Sequence, residues 1–149
     1  MSFSDLKSRV VWTNGCFDIL HRGHIEMFKR CFELAGPEGV VVVGVDSDER
    51  VKSLKGNDRP FNTIGDRVEI LRALKLIDVV DVFSTDEELK GLISEVHKPD
   101  IMVVGEEYKH QTVIGSEFVD EVSFFPRLGK YSTTDILEYQ GVINENSKR

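Results

Sequence analysis

Residues that could bind a phosphate group lie close together near the start of the chain. Residues 13–24 read Thr-Asn-Gly-Cys-Phe-Asp-Ile-Leu-His-Arg-Gly-His, so His21 and His24 are three positions apart with Gly23 between them. Two imidazoles at that spacing share a face when they stand in the first turn of a helix. Gly23 lets a ligand approach the backbone closely, and the carboxylate of Asp18 could hold a divalent cation.

The segments on either side of this turn favour the binding of an anion. Residues 10–12 form an apolar, β-prone run, and residues 25–35 carry apolar side chains at helical spacing. A strand, a tight turn and a helix start together point backbone N–H groups and the positive end of the helix at one place, which suits a phosphate. A zinc site is disfavoured, because His97 and His110 lie in unrelated segments and no cysteine pair has ligand spacing.

Size and charge narrow the range of partners. The chain has 149 residues, enough for one domain with a substantial core, and its formal net charge of −7 argues against nucleic acid as a partner. Residues 50–75 differ, since this window holds seven basic and three acidic residues, a net charge of +4 against −11 for the remainder. A basic island on an acidic protein favours a small polyanionic ligand.

Cysteine usage and hydropathy indicate the compartment. Cys16 and Cys31 have no metal or redox spacing, which indicates free thiols in a reducing environment. No apolar run reaches the length of a membrane span, and the polar N-terminus lacks the apolar core of a signal peptide. We therefore expect a cytoplasmic protein with no membrane partner.

Apolar runs alternate with amphipathic segments along the whole chain. Strands are predicted over residues 10–12, 39–45, 78–83, 100–105 and 122–125, and helices over residues 25–35, 48–54, 63–74, 85–97 and 133–139. This alternation predicts an α/β fold with a doubly wound parallel sheet, in which ligands bind beyond the carboxyl ends of the strands. The loops after four of these strands carry the unusual residues, which supports a site at that edge.

Charged and hydroxyl side chains in those loops could neutralise a triphosphate. Lys55 could reach the α-phosphate or an acceptor phosphate as a point charge, and Arg127 could clamp phosphates with its planar guanidinium. The hydroxyls and N–H groups of residues 132–134 would hold the β- and γ-phosphates at a helix start. Mg²⁺ would complete the neutralisation, with Asp18 nearby or linked through water.

Structural roles remain open for some of these residues. Lys55 could be a solvated loop lysine, and Arg67 could pair with Asp66 or Glu69 on a helix surface. The carboxylates that follow Gly105 could belong to an ordinary acidic loop.

Residues 15–24 resemble the signature of the cytidylyltransferase-like nucleotidyltransferases, enzymes that join a nucleoside triphosphate to a phosphate-bearing acceptor and release pyrophosphate. The resemblance implies a Rossmann-like parallel sheet, in agreement with the five predicted strands. The chain length predicts a single domain over residues 1–143, and the polar end of the chain predicts a flexible tail over residues 144–149. The resemblance also implies a homodimer that uses Mg²⁺. The predicted catalytic residues are His21, His24, Lys55 and Arg127.

Other positions around the same loops are predicted to bind the two substrates. Nucleotide contacts are predicted for Gly15, Cys16, Phe17, Asp18, Gly23, Arg67, Gly105, Glu106, Ser132, Thr133 and Thr134. Acceptor contacts are predicted for Glu107 and Tyr108.

Two stretches and one arginine point to different acceptors. Residues 51–62 and 113–117 resemble the adenylyltransferase domain of the ADP-heptose synthases, whereas Arg127 is placed as in the glycerol-3-phosphate cytidylyltransferases. Residues 129–131 depart from the Glu-Gly that commonly precedes the final Ser-Thr-Thr. Because the stretches are longer, we expect ATP and a sugar 1-phosphate such as heptose 1-phosphate. The alternatives are CTP with glycerol 3-phosphate, or a nucleotide-binding module that has lost turnover.

Overall fold

A parallel sheet of five strands organises the part of the chain that the computed structural model describes, residues 8–127 and 132–139. The strands are β1 (Val10–Gly15), β2 (Val40–Asp46), β3 (Val79–Phe83), β4 (Ile101–Gly105) and β5 (Glu121–Phe125). They lie side by side in the order β3-β2-β1-β4-β5, and each paired strand is parallel to its neighbour. The predicted doubly wound, Rossmann-like α/β sheet is confirmed.

Helices connect the strands as the alternation predicted. They are α1 (Arg22–Ala35), α2 (Asp48–Lys55), α3 (Ile64–Arg72), α4 (Asp86–Gly91) and α5 (Thr133–Tyr139). Ser47 caps α2 by accepting a hydrogen bond from the Arg50 N–H, and Thr85 caps α4 in the same way from Glu88. The predicted helix over residues 85–97 continues beyond α4 as a wider π-helical segment, Leu92–His97.

The order of the strands reverses beside β1. The chain builds β1, β2 and β3 in one direction and then returns to place β4 on the other side of β1, where Val11 pairs with Ile101 and Trp12 with Met102. The loops that leave the carboxyl ends of β1 and β4 therefore diverge and open a crevice between them. The turn of residues 13–24, predicted to bind phosphate, begins at this crevice.

Apolar residues fill both faces of the sheet. On one face, α1 packs its buried Phe28 against sheet residues such as Val11, while the other face includes Trp12, which is fully buried. Gly44 on β2 makes room for that indole, because a Cβ atom there would lie 2.5 Å from the Trp12 ring. The framework that carries the site is thus packed on both sides.

Some predictions concern residues outside the described ranges. The flexible tail over residues 144–149 and the departure at residues 129–131 both lie there. Within the described ranges, no helix has the length and apolar character needed to cross a membrane.

Candidate active site

The two histidines of the predicted phosphate-binding turn stack on each other at the start of α1. Their ring centroids are 3.8 Å apart, with an interplanar angle of 27°. His21 is the N-cap residue, and its Nδ1 accepts a hydrogen bond from the Gly23 N–H, while Nδ1 of His24 accepts one from the His21 N–H. Both side chains therefore cap the helix and are held at its positive end.

These contacts also determine where each ring carries its proton. Because Nδ1 accepts a hydrogen bond in both rings, each neutral imidazole has its hydrogen on Nε2 and is a donor there. Burial, followed by the charges of His21 and Lys55, lowers the pKa of His24 to about 3. Burial and the Arg127 charge also lower the pKa of His21. The pair can thus donate to an anion at neutral pH without being charged.

The ring of Phe17 packs against the imidazole of His24. The Phe17 backbone has φ +49°, a left-handed conformation that is strained for a residue with a side chain. Its ring makes an edge contact with His24 at 5.5 Å between centroids and packs against Phe28 at 5.3 Å. The unusual backbone places this ring where it fixes the orientation of the imidazole.

Asp18 holds a neighbouring loop. It is 2% exposed, and its two carboxylate oxygens accept hydrogen bonds from the Phe61 and Asn62 N–H groups, each at 2.7 Å. Its backbone carbonyl accepts a further bond from the Asn62 amide. This differs from the predicted metal contact, because the carboxylate is buried and directed at backbone N–H groups.

Arg67 lies behind the site rather than in it. It is fully buried, and its guanidinium donates to the carbonyls of Asn62, Cys16 and Asp46 and to the Asp48 carboxylate. Neither the predicted nucleotide contact nor the alternative of a surface ion pair with Asp66 or Glu69 describes this arrangement. Arg67 instead links the carboxyl ends of β1 and β2, because it donates to the carbonyl of Cys16, just after β1, and to that of Asp46, the last residue of β2.

The crevice holds two adjoining cavities. The smaller, about 310 Å³, is lined by the four predicted catalytic residues, together with Gly23 and Ser132, Thr133 and Thr134. The larger, about 500 Å³, is lined by Gly15, Cys16, Phe17, Asp18, Tyr108 and other residues. We call them the cationic compartment and the large compartment.

The two compartments meet at a common boundary. The residues that line both are His24, Met27, Lys55, Arg59, Gly105, Glu107 and Thr133. Of the predicted site residues in the described chain, only Glu106 and Arg67 line neither compartment. The topology therefore brings most of the predicted residues to one place.

Glu107 brings a negative charge to that boundary. Gly105 makes this possible, since a Cβ atom at Gly105 would lie 2.5 Å from a carboxylate oxygen of Glu107. No group of three or more His, Cys, Asp or Glu side chains within residues 8–127 and 132–139 could by itself hold a metal. A Mg²⁺ ion carried by a triphosphate needs only one or two protein carboxylates, and Glu107 fits that requirement.

The start of α5 forms one wall of the cationic compartment. Thr133 Oγ1 donates to the Ile19 carbonyl at 2.8 Å, so the start of α5 rests on the turn that follows β1. Arg59 Nη1 donates to Thr134 Oγ1 at 3.2 Å. Both threonines thus join segments that are far apart in sequence.

Sequence reasoning did not single out Arg59 or Asn14. Arg59 lines both compartments, and its position four residues after Lys55 in the basic window was the available signal. Asn14 lines the large compartment, where its side-chain oxygen accepts a hydrogen bond from Trp12 Nε1 at 2.8 Å. That contact fixes the orientation of the Asn14 amide. Trp12 binds the amide oxygen, so the amide nitrogen, which is a hydrogen-bond donor, faces away from that contact.

Comparison with known proteins decides the family. The profile of the cytidylyltransferase-like family matches residues 12–142, most of the chain. The chain belongs to the cytidylyltransferase-like family. The resemblance predicted from residues 15–24 is confirmed, and so is the conclusion that the chain is a nucleotidyltransferase.

Curated relatives of this cytidylyltransferase-like chain carry the name bifunctional protein HldE. The protein from Campylobacter concisus is 44% identical over 132 residues, and the one from Campylobacter fetus subsp. fetus is 44% identical over 128 residues. These alignments cover 89% and 86% of this chain but only 27% of each relative. The chain thus spans about a quarter of the length of these relatives.

Solved structures share the fold. The lipopolysaccharide core biosynthesis protein from Thermoplasma volcanium is 28% identical, with a TM-score of 0.57 over 83% of this chain and 98% of that one. The pantothenate synthetase from Thermus thermophilus has a TM-score of 0.53 over 86% of this chain and 59% of that one, and at 16% identity it is similar in fold alone.

Proposed function

We propose that this protein transfers an adenylyl group from ATP to a sugar 1-phosphate of the heptose 1-phosphate type, giving a nucleotide-sugar and pyrophosphate. The observation that carries the proposal is the junction of the two compartments, where Lys55 and His24 face both cavities. The phosphates of ATP in the cationic compartment would meet the acceptor phosphate there. The nucleoside of ATP would reach the predicted nucleotide contacts from Gly15 to Asp18 in the large compartment, which would also hold the sugar. The similarity to proteins named HldE supports this choice of substrates.

The reaction needs little covalent help from the protein. An oxygen of the acceptor phosphate attacks the α-phosphorus, a new P–O bond forms, and the bond to the β-phosphate breaks as pyrophosphate leaves. His21 and His24 would donate through Nε2 to the phosphates, while Lys55 and Arg127 would neutralise negative charge that grows on phosphate oxygens. Ser132, Thr133 and Thr134 would hold the departing pyrophosphate at the start of α5. Mg²⁺ bound to the triphosphate would add further neutralisation, with Glu107 as its protein carboxylate.

The walls of the large compartment suit a polyhydroxylated acceptor. Asn14, Gln111 and Thr112 offer polar groups, while Val113 and Ile114 form an apolar side. Tyr108 and Glu107, the predicted acceptor contacts, line the same cavity. Hydrogen-bonding groups in part of an otherwise apolar pocket are the usual means of orienting a small ligand.

One observation favours a second candidate, CTP with glycerol 3-phosphate. Arg127 lines the cationic compartment, and an arginine at this place resembles the glycerol-3-phosphate cytidylyltransferases. Every nucleoside triphosphate carries the same phosphate charge, so a phosphate-binding arginine discriminates poorly between ATP and CTP. The large compartment therefore decides between the candidates.

A pyrophosphate-release screen tests the proposal. Four nucleoside triphosphates are combined with sugar 1-phosphates, including heptose 1-phosphate, and with glycerol 3-phosphate. Fastest turnover is expected with ATP and a sugar 1-phosphate. Turnover only with CTP and glycerol 3-phosphate would select the second candidate, and nucleotide binding without pyrophosphate release from any pair would identify a module that has lost turnover.

Two further properties belong to the same proposal. A cytoplasmic location is consistent with two free, buried cysteines. A homodimer is implied by the family resemblance, and light scattering of the purified protein would measure it.

A further inference from the structure

Arg59 is a buried cation with an incomplete set of partners. It is 1% exposed, and Nη1 donates to Thr134 Oγ1 at 3.2 Å. Among the buried side-chain nitrogen and oxygen atoms that the structure describes, Arg59 Nε is the one without a hydrogen-bond partner. Arg59 forms an ion pair with Asp18, whose Oδ2 lies 3.6 Å from Nε, beyond normal hydrogen-bond distance.

Asp18 is not placed to supply the missing acceptor. Its two oxygens accept hydrogen bonds from the Phe61 and Asn62 N–H groups at 2.7 Å. Those short bonds hold the carboxylate against the backbone of residues 61 and 62. The pair is therefore close enough for charge attraction but is not hydrogen-bonded at Nε.

Arg67 shows what a purely structural arginine looks like in the same protein. Both arginines are buried, yet Nε, Nη1 and Nη2 of Arg67 all donate to acceptors within 3.0 Å. A buried cation with an unsatisfied N–H raises the free energy of the folded state, and such groups are rare unless they have a function. Arg67 lines neither compartment, whereas Arg59 lines both.

We propose that Arg59 binds a phosphate oxygen at the junction of the two compartments, either of the nucleoside triphosphate or of the phosphorylated acceptor. This rests on the proposed function for the identity of the ligands. The planar guanidinium suits phosphate geometry, Arg59 lines both cavities, and the one hydrogen bond of its side chain within the described chain is the one from Nη1 to Thr134. Lys55 and His24 line the same junction, so a phosphate there would contact cationic and neutral donors together.

The matched variants Arg59→Met and Arg67→Met test the inference. Methionine keeps a long apolar side chain and removes the charge. In thermal unfolding without ligand, Arg59→Met is expected to melt below the wild type, because it removes the ion pair with the buried Asp18 and the bond to Thr134. It is expected to melt above Arg67→Met, whose four acceptors all lose their donor. Arg59→Met should weaken binding of inorganic pyrophosphate, ATP or α-glucose 1-phosphate by at least about tenfold in calorimetry.

The three probes distinguish the source of the phosphate. Weaker binding of pyrophosphate and ATP assigns Arg59 to the triphosphate, and weaker binding of glucose 1-phosphate assigns it to the acceptor. Unchanged affinity for all three probes overturns the inference, whatever the melting temperature. If Arg59→Met does not fold, Arg59→Lys takes its place, since it keeps the charge but loses the planar donor set, and the same affinities decide.

These measurements are separate from the activity screen. Loss of phosphate affinity in Arg59→Met supports the inference even if no substrate pair releases pyrophosphate, in which case only the proposed function fails. Conversely, an active wild type whose Arg59→Met variant binds all probes normally leaves the proposed function standing and removes this inference.

Discussion

At the scale of single residues, His24 combines a structural contact with a predicted catalytic role. Its Nδ1 caps α1, and the ring lines both compartments. Replacing His24 with Ala should lower kcat at least about 100-fold, because one preorganised donor to a developing charge is worth that much. The free energy of unfolding should fall by only about 1 kcal/mol, the usual value of a capping bond.

His97→Ala is the matched control for this variant. His97 contacts Asp81 and lies outside both compartments. Its replacement should leave kcat within about twofold of the wild type. A His24→Ala protein with wild-type kcat would contradict the phosphate role of the pair.

The lowered pKa of His24 predicts a loss of stability in acid. The pKa is about 3 in the folded protein, against 6.5 as the ordinary value. Between these values the unfolded chain binds the extra proton, so stability is present above pH 6.5 and is lost as the pH falls towards 3. The free energy of unfolding should decrease by up to about 1.4 kcal/mol per pH unit in this window.

Urea unfolding of the wild type and of His24→Gln would measure this effect. Glutamine does not titrate, so the variant should lose less stability than the wild type between about pH 7 and pH 4.5. Equal losses in the two proteins would show that His24 is not a buried neutral imidazole.

At the scale of elements, α2 delivers Lys55 to the junction from its last turn. Lys55→Ala should lower kcat more than it weakens binding of the nucleotide alone, because a charge near the α-phosphate contributes most when that phosphate is attacked. The control is Lys52→Ala, an exposed lysine in the same helix that lines neither compartment. An unchanged kcat with weaker ATP binding would make Lys55 a simple binding residue.

The loop after α2 depends on Asp18. Replacing Asp18 with Asn removes a carboxylate oxygen that accepts a backbone N–H, and should lower the free energy of unfolding by about 1.5–3 kcal/mol. Hydrogen exchange should become faster at the Phe61 and Asn62 amides. The control is Asp66→Asn, which replaces an exposed carboxylate in the first turn of α3. It should change neither the free energy of unfolding nor the exchange rates of these two amides. Unchanged exchange at both amides in Asp18→Asn would contradict the loop contact.

At the scale of the whole molecule, a cleft with several cations lies on a chain of net charge −7. Attraction between the cleft and a triphosphate is partly long-range, and salt screens it. The KM for ATP should therefore rise several-fold between about 0.05 and 0.5 M KCl, with a smaller change in kcat. A KM that does not depend on salt would show that short contacts alone bind the nucleotide.

The sequence was sufficient for the sheet and for most of the residues at its carboxyl edge. Continuous apolar runs such as residues 40–45 predicted the strands, and their alternation with helices predicted a parallel sheet. The order of the strands and its reversal beside β1 came from the structure. The roles of Asp18, Arg59 and Arg67 could not be predicted, because their partners come from distant segments. Asp18 meets Asn62 across 44 positions, and Arg67 meets Cys16 across 51.

The contact between Thr133 and Ile19 spans 114 positions of the chain. During synthesis, the turn with both histidines leaves the ribosome long before the residues that close the cationic compartment over it. A nascent chain could form β1, β2 and β3 early, yet it would have no complete pocket for a triphosphate until residue 134 emerges. If the compartment binds a triphosphate as proposed, nucleotide would stabilise the finished domain but not the growing one.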